Sequence, residues 1–209
     1  HKIQSIPTGI DSSIFNPDKY DIAECRKQFN LRDNEIAIGI LAVLRQFKRH
    51  DLFLEMAKAL IEKYPDKKLV FIIAGDGPKK NSINKIINDL NLTPHVKLLG
   101  HINKVSELLS ALDILVLSSD SKEGVPQSVM QGLFMNKPVV ATNSGSTKDL
   151  LFDNNFKLVN TNDTKALIDG VSFYLENKIC KDTRKEMLNM FSKNIMAEKI
   201  LYVYKLILL

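Results

Sequence analysis

Five short apolar runs rich in β-branched residues recur along the chain, at positions 36–44, 69–74, 96–99, 114–117 and 139–141. Each is followed by a polar, amphipathic segment, near 51–64, 79–90, 104–112, 126–135 and 146–151. The runs have the length of strands, and the segments between them have helical length and spacing. Repeated strand-then-helix units predict an α/β fold with a doubly wound parallel sheet and right-handed crossovers. A short run at 157–159 predicts an additional edge strand. From Asp163 onward the pattern becomes that of two or three helices, with polar breaks near Asn177 and Asn194. The last of these carries Ile200, Leu201, Val203, Tyr204, Leu206, Ile207, Leu208 and Leu209, so apolar residues cover most of its circumference. Such a helix is expected to be covered on one side by something else. The coarse division is a connector over 1–20, a sheet domain over 21–160 and a helical tail over 161–209.

Composition narrows the function classes. A chain of 209 residues with 44% hydrophobic and 25% charged residues has the make-up of one folded domain with helical additions. Its formal net charge is +5, but the lysines are scattered and lack the interleaved aromatics of a nucleic-acid platform. The excess fits a compact anionic ligand instead. Cys25 and Cys180 are too few and too far apart for a disulfide scaffold, which points to a reducing compartment and a cytoplasmic location. No apolar stretch is long enough to cross a bilayer. The chain opens at His1 with no signal-peptide pattern and enters the turn-like Ile6-Pro7-Thr8-Gly9-Ile10-Asp11, so it reads as part of something longer.

In an open parallel sheet, ligands sit beyond the carboxyl ends of the strands, so the residues after each strand carry the chemistry. After the first come Arg45, Lys48, Arg49 and His50; after the second, Gly75-Asp76-Gly77-Pro78; after the third, Gly100-His101-Ile102; after the fourth, the stretch from Ser118 to Glu123. The segment Glu123-Gly124-Val125-Pro126-Gln127-Ser128 places a carboxylate and backbone breaks just ahead of an apolar helix, whose first amides can hold an anion. Gln131 falls about one turn beyond Gln127 on the same face and can reach back toward the same ligand. Arg45 and Lys48 are expected to face that helix start, where two phosphates would be held without a metal. A sugar joined to a nucleoside diphosphate fits the arrangement. The glycine-rich turn after the second strand lacks a following Gly-Lys-Ser/Thr and reads as a strand-to-helix turn. No His/Cys/Asp/Glu cluster has metal-ligand spacing, and no Ser-His-Asp arrangement presents itself.

These markers, taken together, resemble the C-terminal, donor-binding half of glycosyltransferase family 4, the retaining GT-B transferases that use nucleotide sugars. They are Ile6-Pro7-Thr8-Gly9-Ile10-Asp11, Phe15-Asn16-Pro17, Leu44-Arg45-Gln46-Phe47-Lys48, Ala74-Gly75-Asp76-Gly77-Pro78, Leu99-Gly100-His101, Ala111-Leu112-Asp113, Glu123-Gly124 and Lys137-Pro138-Val139-Val140-Ala141. The resemblance implies a Rossmann-like domain in which Arg45 and Lys48 hold the donor diphosphate and Glu123 sits beside the sugar hydroxyls. Gly124, Val125, Pro126, Gln127 and Ser128 would lie along the phosphates, supplying backbone amides, and His101 and Ile102 would border the base. Position 131 would hold the ribose. The family has glutamate there and this chain has Gln131, which predicts altered ribose binding, since an amide both donates and accepts.

The resemblance further implies a nucleotide-sugar donor, a glycan or lipid-linked acceptor, no metal cofactor and a missing N-terminal GT-B domain against which the last helix packs. This piece alone should bind donor without completing the reaction. The setting it implies is cell-surface polysaccharide synthesis in the cytoplasm, compatible with peripheral attachment to the inner face of the membrane. Two rival readings stand beside it: a non-catalytic nucleotide-sugar-binding subunit of a split transferase, and a GT-B sugar epimerase.

Overall fold

A computed structural model describes residues 5–121, 123–150, 155–177 and 182–208. Six strands form one parallel sheet: β1 (Ile36–Leu41), β2 (Leu69–Ala74), β3 (Val96–Gly100), β4 (Ile114–Leu117), β5 (Val139–Thr142) and β6 (Phe156–Val159). Their order across the sheet is β3-β2-β1-β4-β5-β6, so the direction of winding reverses between β1 and β4. Eight helices accompany them among the described residues: α1 (Ile22–Gln28), α2 (His50–Lys63), α3 (Lys80–Asp89), α4 (Val105–Ala111), α5 (Gln127–Phe134), α6 (Thr164–Glu176), α7 (Arg184–Phe191) and α8 (Lys193–Leu208).

The period-2 alternation of the strands sorts the core into two layers. Leu69, Phe71 and Ile73 of β2 join Ile38, Ile40, Ile114 and Val116 under α2, α3 and α6. Val70, Ile72 and Ala74 of the same strand join Leu115 and Leu117 under α4, α5 and α7. All six residues of β2 are buried, as expected for a parallel strand covered on both faces. Asp21 and Asp163 cap α1 and α6, accepting from Glu24 N (3.0 Å) and Ala166 N (2.8 Å).

Below the sheet, Arg26 of α1 ties three segments together. Its guanidinium donates to Ala111 O (3.1 Å), Asp113 Oδ2 (3.2 Å), Arg32 O (2.8 Å) and Glu35 O (2.5 Å), and Asp113 Oδ2 also accepts from Ala37 N (2.7 Å). The Ala111-Leu112-Asp113 marker therefore anchors the starts of β1 and β4 and makes no contact with the ligand edge.

The structure shortens two expected elements. The first strand ends at Leu41, three residues early; Ala42 and Leu44 leave the ladder, although their amides still bond to Ala74 O and Asp76 O (both 3.0 Å). The helix expected at 146–151 is a single 3-10 turn, Thr147–Leu150, and Leu151 lies outside the described residues, as does Cys180. The tail is three helices, with the second break at Ser192, which is extended and pairs with Ile10. Residues of the expected connector are docked on this junction: Ile10 N donates to Phe191 O (2.8 Å), and Arg184 holds Ser12 O (2.8 Å) and Phe15 O. On α8, Leu201, Tyr202, Tyr204 and Leu206 are exposed. Among the described residues, no helix is long and apolar enough to cross a membrane.

Candidate functional site

The winding reversal between β1 and β4 opens a crevice at the carboxyl edge of the sheet, where such folds place ligands. A cleft of roughly 470 Å³ occupies it. Leu41, Ala42 and Val43 form one wall, with Gly75 beside them; His101, Ile102 and Val105 form another. Lys48, Glu123, Pro126, Gln127, Ser128 and Gln131 complete it. Most of the residues expected at the site are thus brought together by the tertiary structure.

Glu123 and Lys48 form an ion pair with side chains only 9% and 14% exposed, so both charges are held largely out of water. Ser119 Oγ donates to the same carboxylate at 2.5 Å. The loop carrying Lys48 is fixed in turn: Ser118 Oγ donates to Lys48 O (2.8 Å) and Arg49 O (2.9 Å), and Asp120 N donates to Phe47 O (2.9 Å). Arg49 adopts a left-handed conformation (φ 49°) as it starts α2, and ion pairs to Asp51 (2.8 Å) and Asp120 (3.8 Å) hold it there. On the opposite side, Gly145 (φ +56°) lies against the backbone of Glu123, leaving no room for a Cβ.

Helix α5 begins at Gln127 with Pro126 as its N-cap and no side chain capping its first amides; Met130 N is the first to reach back, to Pro126 O at 3.1 Å. Uncapped amides and the positive end of the helix dipole favour an anion beside Lys48. Gln131 lines the cleft half-buried, and its side-chain amide has no protein partner among the described residues. It is free to bond a ligand. His101 is exposed on the rim, its ring within 3.2 Å of Asn103 Oδ1, while Ile102 turns partly inward. Gly124 is exposed and a Cβ there would meet nothing within 4 Å; Val125 packs against the core beneath.

Three of the expected residues do not line this cleft: Gly124 and Val125 stand beside it, and Arg45 is sent elsewhere. The short 3-10 turn Gln46–Lys48 points Lys48 toward Glu123, while Arg45, exposed, lines a neighbouring depression with Lys79. The wall position nearest in sequence is taken by Val43, 39% exposed. Sequence reasoning also missed Ser119 and Gly145. The second had a signal: Asn143-Ser144-Gly145 follows the fifth strand, which ends on the same sheet edge as the other four.

The floor of the depression beside Arg45 is His50, only 3% exposed, with no partner for either ring nitrogen. Burial, reinforced by Lys48, pushes its pKa down to about 4 despite the opposing pull of Asp51. Between pH 4 and 6.5 the unfolded chain therefore binds a proton that the folded ring refuses. Its contribution to stability is complete above pH 6.5 and is lost as pH falls, by about 3 kcal/mol in total. Urea unfolding of the wild type and His50→Gln across this range should show the wild type losing more stability on acidification; parallel curves would contradict this.

Against known proteins, the profile for glycosyl transferases group 1 matches residues 21–196. The UDP-Gal:alpha-D-GlcNAc-diphosphoundecaprenol alpha-1,3-galactosyltransferase of Escherichia coli is 29% identical over 212 residues, covering 97% of this chain and 54% of the relative. Anabaena Alr3699/HepE, solved in complex with UDP and glucose, superimposes with a TM-score of 0.86 at 19% identity, over 96% of this chain and 56% of that one. The C-terminal domain of a glycosyl transferase group 1 protein (LpcC) from Francisella tularensis superimposes with a TM-score of 0.74 at 20% identity, over 87% of this chain and 97% of that domain. The chain thus spans about half the length of the curated relatives it matches. With the matching profile spanning most of its length, and a Rossmann-like sheet shared with GT-B structures, the chain belongs to the glycosyl transferases group 1 family.

Proposed function

We propose that this chain is the donor-binding half of a retaining, family 4 hexosyltransferase, and that its cleft takes a nucleoside-diphosphate sugar. The observation that carries the reading is the buried Lys48–Glu123 pair set beside the uncapped start of α5 at the winding reversal. In the proposed ground state the diphosphate lies between the ammonium group of Lys48 and the amides of Gln127 and Ser128. Glu123, oriented by Ser119, accepts hydrogen bonds from the sugar hydroxyls. As the bond from the anomeric carbon to the leaving phosphate breaks, negative charge grows on the phosphate oxygens, where Lys48 and the helix start stabilise it most. Gln131 takes the ribose hydroxyls, and His101 and Ile102 border the base. No metal is needed where a cation and a helix start already face the diphosphate.

An N-terminal domain would supply the acceptor site, a division supported by the half-length coverage of the relatives. The exposed apolar residues of α8 would pack on it. The proposed setting is cell-surface polysaccharide synthesis on a glycan or lipid-linked acceptor in the cytoplasm, in keeping with the lipid-linked substrate in the E. coli relative's name. Calorimetry of the isolated chain with UDP, GDP and ADP, with and without chelator, tests the core of this. Saturable binding of at least one of them, unaffected by chelator, is expected; no heat with any of the three would refute the reading.

A further inference from the structure

The depression that holds Arg45 is separate from the donor cleft in its lining residues, and its chemistry is that of an oxyanion site. Arg45 and Lys79 both line it, and neither side chain has an ion-pair or hydrogen-bond partner among the described residues. Ser82, in the first turn of α3, lies beside them; α3 starts at Lys80 with no side-chain cap, so the positive end of a ten-residue helix opens here. His50 is the independent observation: almost wholly buried, forming part of the wall, with both ring nitrogens unsatisfied. Buried polar groups in native proteins are nearly always partnered, so an unpaired ring in a pocket wall marks a place where a ligand atom or water completes the bonding. The one carboxylate in the lining, Asp51, is occupied by Arg49 through contacts of 2.8–3.1 Å, so it does not cancel the two free cations.

We propose that Arg45, Lys79, His50 and the start of α3 form a second site, distinct from the donor cleft, that binds a phosphoryl group. At roughly 190 Å³ the pocket is smaller than the ~300–1,000 Å³ that encloses drug-sized ligands, so it takes a compact phosphate and not a nucleoside diphosphate. The phosphate is either free or the terminal group of a larger molecule such as a lipid headgroup. The forked guanidinium of Arg45 suits two of its oxygens, and Lys79 supplies a point charge.

Only four histidines occur in the chain, so His50 can be followed through its ring resonances. Inorganic phosphate, titrated into the isolated chain with UDP present, should shift the His50 signals saturably. Arg45→Gln and Lys79→Gln should each weaken the phosphate affinity about tenfold or more. Lys79→Gln should leave any UDP binding unchanged, which also reports that the variant is folded. Phosphate shifts confined to His101, loss of the His50 response on adding UDP, or unchanged affinity in both variants would overturn the site. Sedimentation with phosphatidic acid against phosphatidylcholine vesicles separates the sources. Retention on phosphatidic acid alone, lost in both variants, assigns a lipid headgroup, and no retention with a saturable phosphate response assigns a soluble phosphate. Loss of donor binding with retention of the phosphate response would reject the donor reading and keep this one.

Discussion

Lys48→Ala in the full-length transferase is expected to lower kcat/KM by about 10²–10³-fold, the range seen when one preorganised donor to a developing charge is removed. The size follows from how few groups share the task. Lys48 is the one lysine or arginine among the described residues that line the cleft, and the helix start supplies the remainder of the positive potential. Because the Lys48 side chain is only 14% exposed, its interaction with the leaving phosphate is weakly screened. The same substitution strands the Glu123 carboxylate in a site that is 9% exposed, and so also costs stability, by about 1–3 kcal/mol. The double variant Lys48→Ala/Glu123→Gln separates the two effects. It should regain most of the stability in urea unfolding while turnover stays low. Near-normal kcat/KM in the single variant, measured with saturating acceptor, would remove Lys48 from the mechanism.

Gly145→Ala should destabilise the chain by about 2–4 kcal/mol and abolish donor binding together. At φ +56° an L residue is held in the left-handed region, and the new Cβ would sit 1.7 Å from Glu123 O. Neither atom belongs to a flexible side chain that can move aside, so the loop bearing Glu123 must shift, carrying its carboxylate away from Lys48 and Ser119. Gly124→Ala is the informative contrast. Its Cβ meets nothing within 4 Å, so stability should change by no more than about 0.5 kcal/mol. Any loss of nucleotide affinity there then reports a ligand passing close to the backbone. Urea midpoints and calorimetry on both variants check the pair; a stable, fully binding Gly145→Ala would show that this loop does not position Glu123.

Much of the site was legible because it depends on edges. Once runs such as 69–74 and 114–117 are recognised as parallel strands, their following residues must open on one side, and the winding order selects the crevice. Glu123, Pro126, Gln127, Ser128, Gln131, His101 and Ile102 all line the cleft for that reason. What failed was direction within irregular backbone. Arg45 and Lys48 are three residues apart and looked equivalent, yet a 3-10 turn and the left-handed Arg49 send them into different depressions. The residues from Ala42 to Leu44 also looked like continued strand, and their departure from the ladder is what places Val43 on the cleft wall.

Helix α8 shows the same division. Its apolar circumference was readable from spacing alone, whereas the position of its start was set by the pairing of Ser192 with Ile10, more than 180 residues earlier. The sequence by itself determined the α/β class, most of the strand and helix positions and the edge on which ligands must lie, because side-chain periodicity and strand direction are local properties. The tertiary structure alone decided that Lys48 meets Glu123, that Gly145 braces it, and that Arg45 joins His50 and Lys79 instead. Those contacts depend on how separate loops pack against one another, and no local pattern encodes that.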